Sequence, residues 1–200
     1  MRFGVLASGS GTNLQALIDA HGAGGLGPAQ LVVVGSNVAG CGAIERAAVA
    51  GIDCFSIDHR QFAARAEFDR ALHSELEARQ VELVVLAGFM RLLGAEILAR
   101  YPDRVINIHP ALLPAFPGLH AQKQAFDYGV KLSGCTVHFV EAGLDTGPVI
   151  AQAVVPVRDD DDEEHLRLRI LAEEHRLLPA MVRAIAEGRV ARQGRRTVVR

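Results

Sequence analysis

Three polar residues interrupt apolar runs where acyl transfer without a metal or a covalent nucleophile would need them. In VINIHPALLPAFPG (105–118), Asn107 and His109 stand in a strand otherwise filled by Val105, Ile106 and Ile108. Strand side chains alternate faces, so both point the same way. In LDTGPVI (144–150), Asp145 lies in a tight turn between two apolar runs. Together the three offer an oxyanion donor, a proton-transfer group and a carboxylate that tunes or relays protons. Taken singly, each has a plainer reading: a backbone-bonded asparagine, a core histidine, an aspartate bonding its own turn. The prolines at 110, 114 and 117 preclude a helix and hold the chain stiff as it leaves His109. His120 and His138 sit at spacings that match no familiar ligand motif, so no metal is expected.

A second constellation lies at the first strand. VLASGSGTNL (5–14) sets Gly9 and Gly11 between an apolar run and an amphipathic stretch starting near Thr12. Glycines permit a tight turn and close backbone approach, and free N–H groups at a helix start favour an anion. Ser8, Ser10, Thr12 and Asn13 add polar side chains. The lysine of a P-loop and the GxGxxG spacing are both missing, which favours a monophosphate over a triphosphate or dinucleotide. A capped strand-to-helix turn with no ligand would read similarly.

The elements that must position these groups follow from periodicity. Short apolar runs at 3–7, 31–35, 54–57, 83–87 and 105–109 alternate with helical patterns at roughly 12–22, 41–50, 61–79 and 92–101. Near-continuous apolar strands with long crossovers predict a doubly wound, mostly parallel α/β sheet, right-handed at each connection. After residue 130, GCTVHFVEAG (134–143) and GPVIAQAVVPV (147–157) predict an antiparallel pair at the sheet's end. DDDDEE (159–164) reads as a solvated acidic loop entering a helix over about 163–187, where negative charge suits the helix N-terminus. That helix carries Leu171, Leu178 and Val182 beside Ile170, Leu177, Met181 and Ile185, with Glu174 and His175 inside the apolar face; Pro179 is placed to kink it. The basic GRRTVVR tail reads as loosely ordered.

At 200 residues and 50% apolar composition, the chain suffices for one domain. We divide it into an N-terminal phosphate-binding half (1–104), a second half carrying the catalytic groups (105–190) and a tail (191–200). A net charge of −2 gives no global field for nucleic acid or an anionic membrane, so small-molecule substrates are expected. No stretch suits a signal peptide or a membrane span, which predicts a cytoplasmic protein. Cys41, Cys54 and Cys135 form no CxxC pair and suggest neither disulfides nor zinc.

VLASGSGTNLQALID, VVLAGFMRLL, INIHPALLPAFPGLHA, GCTVHFV, LDTGPVIAQ and EEH, in this order, closely resemble the phosphoribosylglycinamide formyltransferase family over about residues 1–185. The resemblance implies a Rossmann-like formyltransferase fold and formyl transfer from 10-formyltetrahydrofolate to the amine of 5-phosphoribosylglycinamide. It implies that His109 is the proton donor, that Asn107 stabilises the oxyanion and lines the folate site, and that Asp145 sets the histidine's protonation. It assigns Gly11, Thr12 and Asn13 to the substrate phosphate and Glu174 to the ribosylglycinamide. Arg65, Met90, Arg91, Leu92 and Leu93 match folate-lining positions, as do Glu141, Ala142, Gly143, Leu144 and Asp145 around the pterin. Ser10 and Thr12 stand where relatives vary. A monomer or homodimer without metal is expected.

Related readings are set aside on the same residues. A methionyl-tRNA formyltransferase would carry a further C-terminal domain and a basic surface, and a formyltetrahydrofolate hydrolase an N-terminal regulatory domain. A non-catalytic phosphate sensor would explain the glycines but not the Asn, His and Asp together. A metal-dependent hydrolase would lose activity to chelators.

Overall fold

A computed structural model describes residues Met1–Arg200. Strands β1 (Arg2–Leu6), β2 (Gln30–Ser36), β3 (Cys54–Ser56), β4 (Leu83–Leu86) and β5 (Val105–His109) pair in parallel, in the order β3-β2-β1-β4-β5. The antiparallel strands β6 (Leu132–Phe139) and β7 (Val149–Pro156) complete the seven-stranded sheet beside β5. The chain builds outward from β1 to β3, then turns back to add β4 on the other side. Open α/β sheets present ligand crevices at such a reversal, beyond the carboxyl ends of the strands.

Helices α1 (Thr12–Gly22), α2 (Gly42–Val49) and α6 (Glu163–Ala186) cover one face of the sheet, with α5 (Ala121–Tyr128) against α6. The opposite face is covered by α3 (Arg65–Ala78) and α4 (Ala95–Arg100). In β1 the period of two is plain: Phe3 and Val5 join the α1/α6 core, while Leu6 joins the α3/α4 core. Both faces are dry, which is why these strands read as unbroken apolar runs. No helix is long and apolar enough to cross a membrane.

Expected elements shift where local chemistry outweighs period. A 3-10 turn, His59–Gln61, with Asp58 accepting from the Arg60 N–H, takes the start of the third helical pattern, and α3 begins only at Arg65. The acidic run ends in an N-cap, Asp162, accepting from the His165 N–H at 2.7 Å, while Asp161 pairs with Arg169. The helical backbone of α6 continues through Pro179 to Ala186. Helix α5 falls between the fifth apolar run and the antiparallel pair, where no helical pattern is assigned from sequence; Gly129 closes it at φ 77°.

The loosely ordered tail is a correction. Val190–Gln193 (β8) and Arg196–Val199 (β9) form a hairpin turning at Gly194. Density of arginine suggested solvation, but arginine buries its stem while its head finds partners, here the carboxylates of Asp103 and Glu141.

Candidate active site

Asn107 and His109 end β5, which β6 flanks in antiparallel register: Asn107 lies opposite His138 and His109 opposite Thr136. The imidazole of His109 is 4% exposed and its Nε2 sits 2.8 Å from the Phe116 carbonyl. A carbonyl only accepts, so Nε2 carries the proton and Nδ1 faces Asp145 Oδ2 at 3.4 Å. Asp145 Oδ1 in turn lies 3.6 Å from His138 Nε2. Asn107 Nδ2 is 3.1 Å from that same His138 nitrogen, whose ring contacts the Phe139 carbonyl through Nδ1 at 2.8 Å. The Phe139 carbonyl only accepts, so His138 Nδ1 carries a proton toward it, and the Nε2 edge of the ring faces both Asn107 and Asp145.

Electrostatics follow from these neighbours. Burial pushes the His109 pKa below its ordinary value, against the opposing pull of the Phe116 carbonyl and Asp145, so the ring is neutral near pH 7. Burial works to raise Asp145, but hydrogen bonds from His138 and the Gly118 N–H, with the charge of His109, outweigh it and keep the carboxyl below the usual range. A neutral imidazole beside an ionised carboxylate is ready to gain and release a proton.

The proline-rich loop is stitched to these groups. Gly118 N–H donates to Asp145 Oδ2 at 2.8 Å. The buried Thr136 hydroxyl donates to the Ala111 carbonyl at 2.7 Å and accepts from the Leu113 N–H and Gln152. The Leu113–Pro114 peptide is cis. Asp145 itself has φ 51°, a left-handed conformation that Asp tolerates better than most residues. The turn closes tightly: a Cβ on Gly147 would fall 1.7 Å from the Phe139 carbonyl oxygen, so only glycine fits.

The glycine-rich turn leads into α1 with Gly11 as N-cap at φ 72° and no side-chain cap, leaving first-turn N–H groups for a ligand. A Cβ on Gly11 would meet Ala43 Cα of α2 at 2.7 Å. Thr12 opens the helix, and Asn13 donates through Nδ2 to Glu174 Oε2 of α6 at 2.9 Å, joining two of the predicted substrate residues. Asn13 Oδ1 is buried with no partner in the protein, an unpaired acceptor that a ligand hydroxyl or amine would satisfy. Burial raises the Glu174 carboxyl to about 7, with Asn13 and Arg167 opposing. It has no ion pair with an arginine.

Of the predicted folate-lining residues, Met90 and Leu92 are largely exposed, as is Leu144 in the 141–145 turn. Leu93 is buried and Arg91 is partly exposed. Two backbone groups of this loop are already engaged: Met90 N–H donates to Ser8 Oγ at 2.8 Å, and the Leu93 carbonyl accepts from Arg65 Nη2 at 2.6 Å. Arg65 thus braces the loop. In the opposite turn, Ala142 and Gly143 are exposed, Gly143 packs against Thr146, and the Glu141 carboxylate is taken by Arg192.

Three residues were missed. His138 was weighed only as a metal ligand; its place opposite Asn107 depends on β5/β6 register, which no spacing reveals. Arg46 of α2 braces the glycine-rich turn by donating to the Ser10 carbonyl at 2.9 Å. Arg192 lies in the tail read as loose. No group of three or more His, Cys, Asp or Glu is arranged to hold a metal ion.

A family model described as "Formyl transferase" matches residues 1–182. The chain is 47% identical to the phosphoribosylglycinamide formyltransferase of Mycobacterium tuberculosis, covering 99% of this chain and 94% of that protein. It is 48% identical to the trifunctional purine biosynthetic protein adenosine-3 of Drosophila melanogaster over 94% of its own length but spans only 14% of that protein. The crystal structure of glycinamide ribonucleotide transformylase 1 from Symbiobacterium toebii superposes with a TM-score of 0.97 at 52% identity, covering 100% of this chain and 93% of that one.

Proposed function

The chain belongs to the formyl transferase family, and on that premise we propose that it transfers a formyl group from 10-formyltetrahydrofolate to the amine of 5-phosphoribosylglycinamide in purine (IMP) biosynthesis. The observation that carries this reading is the approach of His109 Nδ1 to Asp145 Oδ2 at 3.4 Å, with Asn107 on the same strand end. Acyl transfer to an amine needs a polarised carbonyl and a path for the amine proton, and this trio supplies both.

In the proposed mechanism the neutral amine attacks the formyl carbon. The Asn107 amide, and the positive charge of His109 once the ring takes up a proton, stabilise negative charge developing on the formyl oxygen. Asp145, paired with His109, takes part in moving the amine proton toward the departing folate nitrogen, directly or through water. The first-turn N–H groups after Gly11, with Thr12 and Asn13, hold the phosphate; Asn13 Oδ1 and Glu174 take the ribosylglycinamide. The folate's flat ring fits between the apolar side chains of Met90 and Leu92 on one loop and Leu144 on the other, with Arg91, Leu93 and residues 141–143 completing that wall and Arg65 supporting it.

In this division of labour residues 1–104 bind phosphate, residues 105–190 supply the reacting groups, and the loop at 90–93 reaches across. The same reading has the protein act in the cytoplasm as a monomer or homodimer. The test is direct: the purified chain, 10-formyltetrahydrofolate and phosphoribosylglycinamide, with formylated product followed by mass and folate release by absorbance. Product is expected with and without chelator. Folate release without formylated amine would point to hydrolysis and reject the assignment.

A further inference from the structure

We propose that the C-terminal hairpin is a strap that positions Asp145, with Arg192 and Thr197 as its two ties. Residues 190–199 lie beyond the 1–182 stretch matched by the family model. The two ties meet the chain on either side of the turn that carries Asp145. Before it, Arg192 Nη2 donates to Glu141 Oε1 at 2.6 Å, while Nη1 of the same guanidinium holds Asp103 Oδ1 at 2.5 Å, just ahead of β5. After it, Thr197 Oγ1 donates to the Val149 carbonyl at 2.5 Å, at the start of β7. Arg192 Nε donates to the Gly194 carbonyl at 2.8 Å, so each arm of the guanidinium is engaged and its orientation fixed. One planar fork thereby links the approach to β5, which bears Asn107 and His109, to the turn that bears Asp145.

The consequence is local. Ion pairs this exposed add little to global stability. A catalytic contact is far more sensitive to placement, since a shift of about 1 Å can cost on the order of 100-fold in rate. The backbone bond from Phe139 N–H to the Pro148 carbonyl at 2.9 Å closes the base of the turn but leaves Glu141 and the residues after it to other restraints. The strap supplies one.

This inference rests on the role given to Asp145, and the experiment separates the two. Arg192→Ala and Thr197→Val are compared with wild type by amide hydrogen exchange over 141–148 and by steady-state kinetics, and each is then combined with Asp145→Asn. Each single variant is expected to speed exchange in the turn several-fold. Turnover should fall about 3- to 10-fold, while KM for the phosphoribosyl substrate stays put. Arg192→Lys should not rescue, because an ammonium cannot span both carboxylates. In the Asp145→Asn background the strap variants should cost nothing more. Unchanged exchange in both strap variants overturns the strap, as does an equal loss of turnover with and without Asp145. Wild-type turnover in Asp145→Asn alone overturns the role of Asp145 instead, and exchange still reports on the strap.

Discussion

Burial sets the protonation state of His109, while hydrogen bonds that outweigh burial set that of Asp145. His109 is kept neutral and Asp145 ionised, each at the other's edge. Asp145→Asn keeps the shape and the bond from the Gly118 N–H but removes the charge. It should fold normally and lose about 10²- to 10⁴-fold in turnover, measured as kcat with the thermal midpoint as control; near-wild-type kcat would reject the role. Glu174 makes a prediction about stability. Its folded carboxyl binds a proton up to about pH 7, against an ordinary value of 4.5. Between these values the native state holds more protons than the unfolded chain, so this residue's contribution falls as pH rises from about 4.5 to 7 and stays lost above. Glu174→Gln removes the titration. Its stability relative to wild type should therefore be higher at pH 8 than at pH 5, by about 1–3 kcal/mol, in urea unfolding at the two pH values. A difference that does not change with pH would show that burial does not hold the proton.

Pairing between elements converts a strand end into a site. The antiparallel ladder of β5 and β6 sets His138 beside Asn107 and puts the Thr136 hydroxyl where it ties down the Ala111 carbonyl and the Leu113 N–H. Thr136 is fully buried. Thr136→Val keeps the volume and strands those two backbone groups, which should cost about 1–3 kcal/mol in denaturant unfolding and slow turnover by loosening the chain that holds Phe116 against His109. Stability and turnover both equal to wild type would mean that the prolines alone hold this loop.

One sheet serves both cores, which ties remote packing to the site through the whole molecule. Leu17 of α1 is fully buried in the core on the α1/α6 face. Leu17→Ala should cost about 2–5 kcal/mol and lower the unfolding midpoint equally for far-ultraviolet circular dichroism and for a probe on the α3/α4 face. Separate midpoints would show two independently folding halves. Charge at this scale is nearly balanced, at −2 over 200 residues, so the proposed phosphate site at the uncapped N-terminus of α1 would draw on local groups rather than on a global field.

The parallel sheet was legible because strands dry on both faces must be continuously apolar; Asn107 and His109 stood out because they break such a run, and Asp145 because it lies in the turn between two of them. Local rules likewise announced the glycine-rich turn before α1 and the acidic entry to α6. Other features depended on which residues become neighbours across space. His138 gains its place only from the β5/β6 register, and Glu174 gains its raised pKa only from burial in the folded chain, against the opposing bond from distant Asn13. Arg192 read as a solvated charge until folding brought Asp103 and Glu141 to it. Composition and period report what a residue prefers over one or two turns of chain. Only closure of the sheet decides which distant group shares its hydrogen bond and how much water is left between them.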